Sequence, residues 1–300
     1  MKVDRMCGKC QRRIGRALRP CYTFFRSPEG GQYRSNSHVI AEEVMVQALS
    51  YKANPFGGVV IDPPALPDTP QDFRSRLRYS MDLWRSDGVL VVWLEIPLNQ
   101  AALVPVAVEA GFSYHHAGDD YLLLTCSLVE GSHIPPYASH YIGAGGVVLN
   151  EDRELLVVRE KYGFGGRPAT LKLPGGALRS GEHLAEAVVR EVLEETGVET
   201  EFHSVVCFRH WHGYRYGKSD IYFVCRLTPL TREIAMQTQE IQECIWMPVD
   251  EFLGSDSVAE FNKWIVNAGL RVPGMVVTSV DGYPAVGDRE FFESMDGVFS

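Results

Sequence analysis

Apolar residues recur along this chain at two periods, and the alternation between them outlines its organisation. Between residues 72 and 85, Phe73, Leu77, Met81 and Trp84 return every three or four positions, which predicts an amphipathic helix. Gly88 then opens residues 89–96, an apolar, β-branched run of the kind that forms a buried strand, and Pro97 ends it. Residues 100–110 read as a helix stopped by Gly111, and residues 59–61 and 121–126 read as short strands. Strand, helix, strand, helix, strand over residues 56–134 predicts a small α/β unit. Pro135 and Pro136 mark a linker. Beyond it, residues 142–149 and 154–159 read as strands joined by Asn150-Glu151-Asp152-Arg153, a hairpin signal. A helix is expected from Ser180-Gly181-Glu182 to a stop at Gly197, then strands at 201–209, 220–227 and from Trp246, and a closing helix at 257–267. Residues 137–270 thus form a second α/β (α+β) unit. Residues 271–300 are broken by Gly and Pro and read as a tail.

Composition changes this picture mainly at the start. The 300 residues and 45% hydrophobic content suit two domains with ordinary cores, and no apolar run approaches a membrane span. Residues 1–50 carry nine basic and four acidic side chains, a local charge of +5 in a chain whose total is −9. The overall acidity argues against a general nucleic-acid binder. An Arg-rich, acid-poor start is compatible with an organellar transit segment or with a disordered extension. Cys7-x-x-Cys10 with Cys21 and His38 also suggests a zinc knuckle, although no second C-x-x-C completes it. Seven scattered cysteines do not form a secreted disulfide framework, and a reducing cytoplasmic interior is expected.

The chemistry concentrates in residues 173–198, LPGGALRSGEHLAEAVVREVLEETGV. At 100° per residue, Ala185, Val189, Val192 and Leu193 share one helix face, and Glu191, Glu194 and Glu195 fall on the other. Like charges at i, i+3 and i+4 repel. A hard divalent cation such as Mg²⁺ or Mn²⁺ relieves that repulsion, and it also neutralises a bound pyrophosphate. His115-His116 invite a second metal reading. Neighbours on a strand point to opposite faces, so packing or interface roles are expected for them.

Gly176, Glu182, Arg190-Glu191, Glu194-Glu195 and Gly197-Val198 match the Nudix box, G-x5-E-x7-R-E-U-x-E-E-x-G-U with U apolar. The segments DLWRSDGVLVVWLEIP, AGFSYHHAGDDYLLL and IPPYASHYIGAGGVVLN resemble the leader region of one Nudix subgroup. That subgroup comprises the vertebrate antisense-fibroblast-growth-factor Nudix protein and the plant ADP-ribose/NADH hydrolases. The resemblance implies a Nudix α/β/α sandwich preceded by an acetyltransferase-like α/β leader. No R/Q-x-x-G-x-G/A loop occurs between residues 56 and 130, so acetyl transfer is not implied. Position by position, the resemblance makes Glu194 and Glu195 the principal metal ligands and Glu191 a further ligand or base. Arg190 would orient them, and the Gly176 carbonyl would join the metal. Gly175 and Gly176 would let backbone approach the phosphates. Arg167, in the glycine-rich stretch 163–169, and Tyr214 are candidate substrate contacts. Glu240, six residues before Trp246, would supply an acidic ligand from outside the box.

The activity implied is metal-dependent cleavage of a nucleoside diphosphate linked to another moiety, with ADP-ribose or NADH first. The S-Q-P-W-P-F-P-x-S array of NADH-specific relatives is absent, and Gly213-Tyr214 stand where many ADP-ribose hydrolases carry proline. A tyrosine near that spot resembles diadenosine-polyphosphate hydrolases, while the L-L-T-x-R cue for coenzyme A is missing. A nucleotide is the expected partner, and a homodimer is a further expectation. The other class of reading is a Nudix domain kept as a ligand-sensing or interaction module.

Overall fold

The computed structural model describes residues 46–163, 169–282 and 289–294. The expectations about Cys7, Cys10, Cys21 and His38 and about Arg167 lie outside those residues. In the leader, β1 (Tyr51–Ala53), β2 (Val59–Ile61), β3 (Val91–Pro97), β4 (Ser113–Ala117) and β5 (Tyr121–Ser127) form one sheet in the order β1-β2-β3-β5-β4. Only the β2–β3 pair is parallel. The expected amphipathic helix is α1 (Pro70–Ser86), opened by the Thr69 hydroxyl accepting from Asp72 N–H. Its stripe of Phe73, Leu77, Met81 and Trp84 is buried against the sheet. The second expected helix is divided: a 3-10 segment, Leu98–Leu103, precedes α2 (Val104–Glu109). Gln100 leaves helical geometry, and Pro105 in the first turn has no N–H to continue an earlier helix.

Two expectations for this region need correction. The packed core takes in Leu49, 1% exposed, whose N–H donates to Ser80 Oγ at 2.8 Å. The folded chain therefore begins ahead of residue 56, inside the stretch assigned to a basic extension. Among residues 46–53 Leu49 alone is buried, and one buried position carries no period, which is why the pattern missed it. His115 and His116 do not point apart either. A bulge between Tyr114 and His116 turns both rings to one side, with their Nδ1 atoms 2.7 Å apart. His115 Nε2 meets the Pro135 carbonyl at 2.7 Å and His116 stacks on Tyr137, so the pair fastens the linker to the leader sheet.

The second unit starts with β6 (His140–Val148) and β7 (Glu154–Glu160). They meet at a single Leu149–Leu155 bridge beside the Asn150 turn and then diverge into different sheets, so the expected hairpin is only one bridge long. Next come β8 (Gly175–Ala177), α3 (Leu184–Thr196), β9 (Thr200–Trp211), β10 (Ser219–Pro229) and β11 (Ile241–Pro248). The chain continues through α4 (Val249–Gly254), α5 (Glu260–Arg271), β12 (Met275–Val277) and β13 (Phe292–Ser294). One sheet runs β13-β12-β9-β10-β6-β8, with β10 and β6 parallel, and β11 pairs with β7 in a second. Leu184, Val188 and Val192 of α3 pack with Ala144, Val148 and Cys225 on one side of the large sheet. Ile265 and Val266 of α5 pack with Val147, Val206 and Val224 on the other. This is a helix–sheet–helix sandwich. The stretch read as a tail adds β12 and, at the edge, β13 to this sheet; both were too short to show a period.

Candidate active site

Residues 173–198 become a strand, a turn and a helix. The helix starts at Leu184, after His183 as N-cap, and not at the Ser180-Gly181-Glu182 step. Gly197 ends it in the left-handed conformation, φ 76°, with its N–H on the Leu193 carbonyl at 2.8 Å. The helix face is also rotated relative to the expected one. Leu193 is exposed, whereas Leu184, Val188, Val192 and Glu195 are buried. Positions 184, 188, 191 and 195 form the inward stripe, so Glu191 and Glu195 lie along the packed side and only Glu194 faces solvent.

Glu195 is 9% exposed, and Gly175 N–H donates to its Oε2 at 2.9 Å. Burial pushes its carboxyl up to about 7, against the pull of Lys172 and of the Gly175 bond, with Glu191 and Glu160 adding to the rise. The two glycines are required here. Gly175 holds φ 150°, with a Cβ position 2.2 Å from the Ala144 carbonyl oxygen, and a Cβ on Gly176 would lie 2.5 Å from Glu191 Oε2. A side chain at Gly175 would collide with the β6 backbone, and one at Gly176 would push the Glu191 carboxylate aside.

Arg190 ties the carboxylates together. Its Nη1 donates to Glu191 Oε1 at 2.8 Å and to Glu194 Oε2 at 3.0 Å. Its Nε and Nη2 grip Glu182 at 2.5 and 2.8 Å. Glu182 lies outside the helix and serves as the anchor of that guanidinium; Arg190 holds its carboxyl down to about 2 and is itself raised in return. Arg179 donates to Glu194 at 3.0 and 3.2 Å. The donor set, hard carboxylate oxygens with Glu195 buried beside a glycine turn, suits Mg²⁺ or Mn²⁺ by type. Among the described residues, no three metal-ligating side chains converge on one point in this arrangement. Glu194, 47% exposed and held by two arginines, would have to turn toward a cation to complete the set.

The outer residues divide. Glu240 is exposed and ends the loop before β11; its N–H donates to Gln237 Oε1 and its carbonyl accepts from Lys161 N–H. Gln237 N–H in turn donates to the Glu195 carbonyl at 3.1 Å, which puts this loop at the C-terminal end of α3. β11 starts at Ile241 and not at Trp246, so Glu243 lies in the strand, where it accepts from Arg159 at 2.9 Å. Across from Glu195, Lys172 and Glu160 form an ion pair at 2.6 Å on strands that bridge at Val158–Lys172. Neither was singled out by the sequence pattern, since a lone charge at a strand end has no period. Tyr222 lies near Glu195, and the Arg209 guanidinium sits over Tyr222, Trp211 and Phe261 at 5.2–5.5 Å. Tyr214 follows, 5.2 Å from Trp211 and 6.0 Å from Tyr141. These rings line the side of the large sheet that α5 covers.

A glycine turn, a glutamate-bearing helix and an arginine clamp between two helix layers define a hydrolase of the Nudix class. The chain belongs to that family: a model described as "Nudix hydrolase domain" matches residues 49–128, and one described as "NUDIX domain" matches residues 139–266. Among similar curated proteins, Nudix hydrolase 8 of Arabidopsis thaliana is 45% identical over 243 residues, 77% of this chain and 66% of its own length. Nudix hydrolase 2 of the same plant is 37% identical over 76% of this chain and 82% of its own length. The human protein named "Nucleoside diphosphate-linked moiety X motif 6" is 38% identical over 62% of this chain and 59% of itself. A MutT protein from Methanosarcina mazei, 22% identical, aligns with 46% of this chain and 97% of its own at a TM-score of 0.39. No helix among the described residues is long and apolar enough to cross a membrane.

Proposed function

We propose that this protein hydrolyses the pyrophosphate bond of a nucleoside diphosphate linked to another moiety, with ADP-ribose or NADH as the favoured substrates. The observation that carries the reading is the placement of Glu191 and Glu195 on the inward stripe of α3, directly against Gly175 and Gly176. A carboxylate buried at 9% exposure and raised by its burial is costly unless a bound cation uses it. Glu191, Glu194, Glu195 and the Gly176 carbonyl would hold the divalent cation, with Glu240 reaching in from its loop. When bound, Mg²⁺ or Mn²⁺ supplies a water of lowered pKa and neutralises charge on the phosphoryl oxygens. Arg190 keeps Glu191 and Glu194 oriented, and Glu182 keeps Arg190 from swinging out. Water adds at one phosphorus, the P–O–P bridge breaks, and a nucleoside monophosphate leaves with the phosphorylated second moiety. The rings of Trp211, Tyr214 and Tyr141 offer a platform for a base, which favours substrates with an aromatic group beyond the diphosphate.

The test is a phosphate-release screen of ADP-ribose, NADH, diadenosine polyphosphates and coenzyme A with Mg²⁺ or Mn²⁺. Turnover of ADP-ribose or NADH above the others supports the reading, and turnover of none would leave a ligand-sensing module in its place.

A further inference from the structure

The N-terminal end of α3 has an uncommon closure. His183, its N-cap, has extended backbone and makes no side-chain cap bond. A helix leaves its first four N–H groups without intrahelical partners, and Ser, Thr, Asp or Asn at the cap ordinarily satisfies one of them. Here a carboxylate from 106 residues further along the chain takes that role. Leu184 N–H donates to Glu290 Oε2 at 2.7 Å, and Ala185 N–H points at Oε1 at 3.4 Å. His183 Nδ1 lies 3.6 Å from the same Oε2. The Glu290 side chain is only 15% exposed, so water competes weakly for these bonds, and its charge lies at the positive end of the helix dipole.

The segment carrying Glu290 is fixed in turn. Phe291 accepts from Thr278 N–H at 2.8 Å, β13 pairs with β12, and Phe292 packs in the same core as Leu184, Val188 and Val192. The C-terminal strap therefore holds both the buried face and the first turn of the helix that carries the carboxylates. At its other end that helix is tied to the glycine turn through Glu195. A slip of one residue, 1.5 Å along the axis, would pull Glu195 Oε2 out of its 2.9 Å bond from Gly175 N–H. We propose that Glu290 is a positioning residue of the hydrolase, closing the start of α3 so that Glu191 and Glu195 meet the Gly175-Gly176 turn in register.

This inference rests on the hydrolase reading, and Mn²⁺ alone, titrated into the full chain and followed calorimetrically, separates the two. Glu290→Ala should weaken Mn²⁺ binding about five- to ten-fold, and Glu290→Gln, which keeps one acceptor, should fall between it and wild type. Glu293→Gln, an exposed position on the same strap, should bind as wild type. Hydrogen exchange at the Leu184 and Ala185 amides should quicken at least about ten-fold in Glu290→Ala. If that variant does not fold, Glu290→Gln carries the comparison. Wild-type Mn²⁺ affinity in the folded Glu290 variants would overturn the positioning role while leaving the site intact. Wild-type affinity in Glu195→Gln would overturn the site itself.

Discussion

Glu195→Gln should stabilise the metal-free protein while abolishing its turnover, and the stabilisation should depend on pH in a defined way. Burial raises the carboxyl from an ordinary 4.5 to about 7. Each pH unit of such a change is about 1.4 kcal/mol, so ionising Glu195 in the folded state costs roughly 3 kcal/mol at most. The glutamine oxygen keeps the Gly175 N–H bond, but its NH₂ brings a buried donor whose burial costs about 1–2 kcal/mol if it finds no acceptor. A net gain of roughly 1–2 kcal/mol follows, about 2–4 °C in Tm for a chain of this size. Below pH 4.5 both states of the wild type hold the proton, and Glu195 carries no penalty. Between 4.5 and 7 the unfolded chain ionises while the folded one does not, so wild-type stability declines. Above 7 the penalty is complete. The advantage of the variant should therefore grow from pH 4.5 to 7 and level off beyond it. Thermal melts in EDTA at pH 4.5, 6, 7 and 8 measure this, with turnover assayed in Mg²⁺, where a loss of at least about 100-fold is expected. A variant that melts with wild type at pH 8, or whose gain is the same at every pH, would refute the buried-carboxylate argument.

Other outcomes follow from the same geometry. Glu194→Gln should also lose at least about 100-fold in turnover, but with Tm unchanged in EDTA, because its carboxylate is half exposed. Glu182→Gln should lose about 1–2 kcal/mol near neutral pH. The wild-type carboxyl is held down to about 2, so that advantage is complete above 4.5 and fades as pH falls toward 2, as acid melts of both proteins would show. Glu240→Gln should lower kcat at least about ten-fold with a smaller change in KM, whereas Glu243→Gln, paired with Arg159, should do little; the reverse ranking would remove Glu240 from the site. A chain starting at Lys52 should lose about 2–5 kcal/mol through the missing Leu49, and one starting at Val46 should melt as the full chain does.

Much of this protein was legible before any coordinates. The helix stripe Phe73–Leu77–Met81–Trp84 and the strand-like runs were visible because burial on one side of a regular element leaves its period in the sequence. The carboxylates were visible because their chemistry demands fixed spacing on one helix. What stayed hidden depends on contacts between distant parts of the chain. Leu49 enters the core alone, and Lys172 and Glu160 meet only because β7 bridges the strand before the glycine turn. The rotation of α3, which buries Glu195 and exposes Leu193, follows the packing of Leu184, Val188 and Val192 on Ala144 and Val148. Helical periodicity alone does not choose between that stripe and the Ala185–Val189–Val192–Leu193 face, because both are apolar. Glu290 shows the same limit most plainly: a carboxylate in a stretch without pattern closes a helix 106 residues away, and only the pairing of two three-residue strands brings it there.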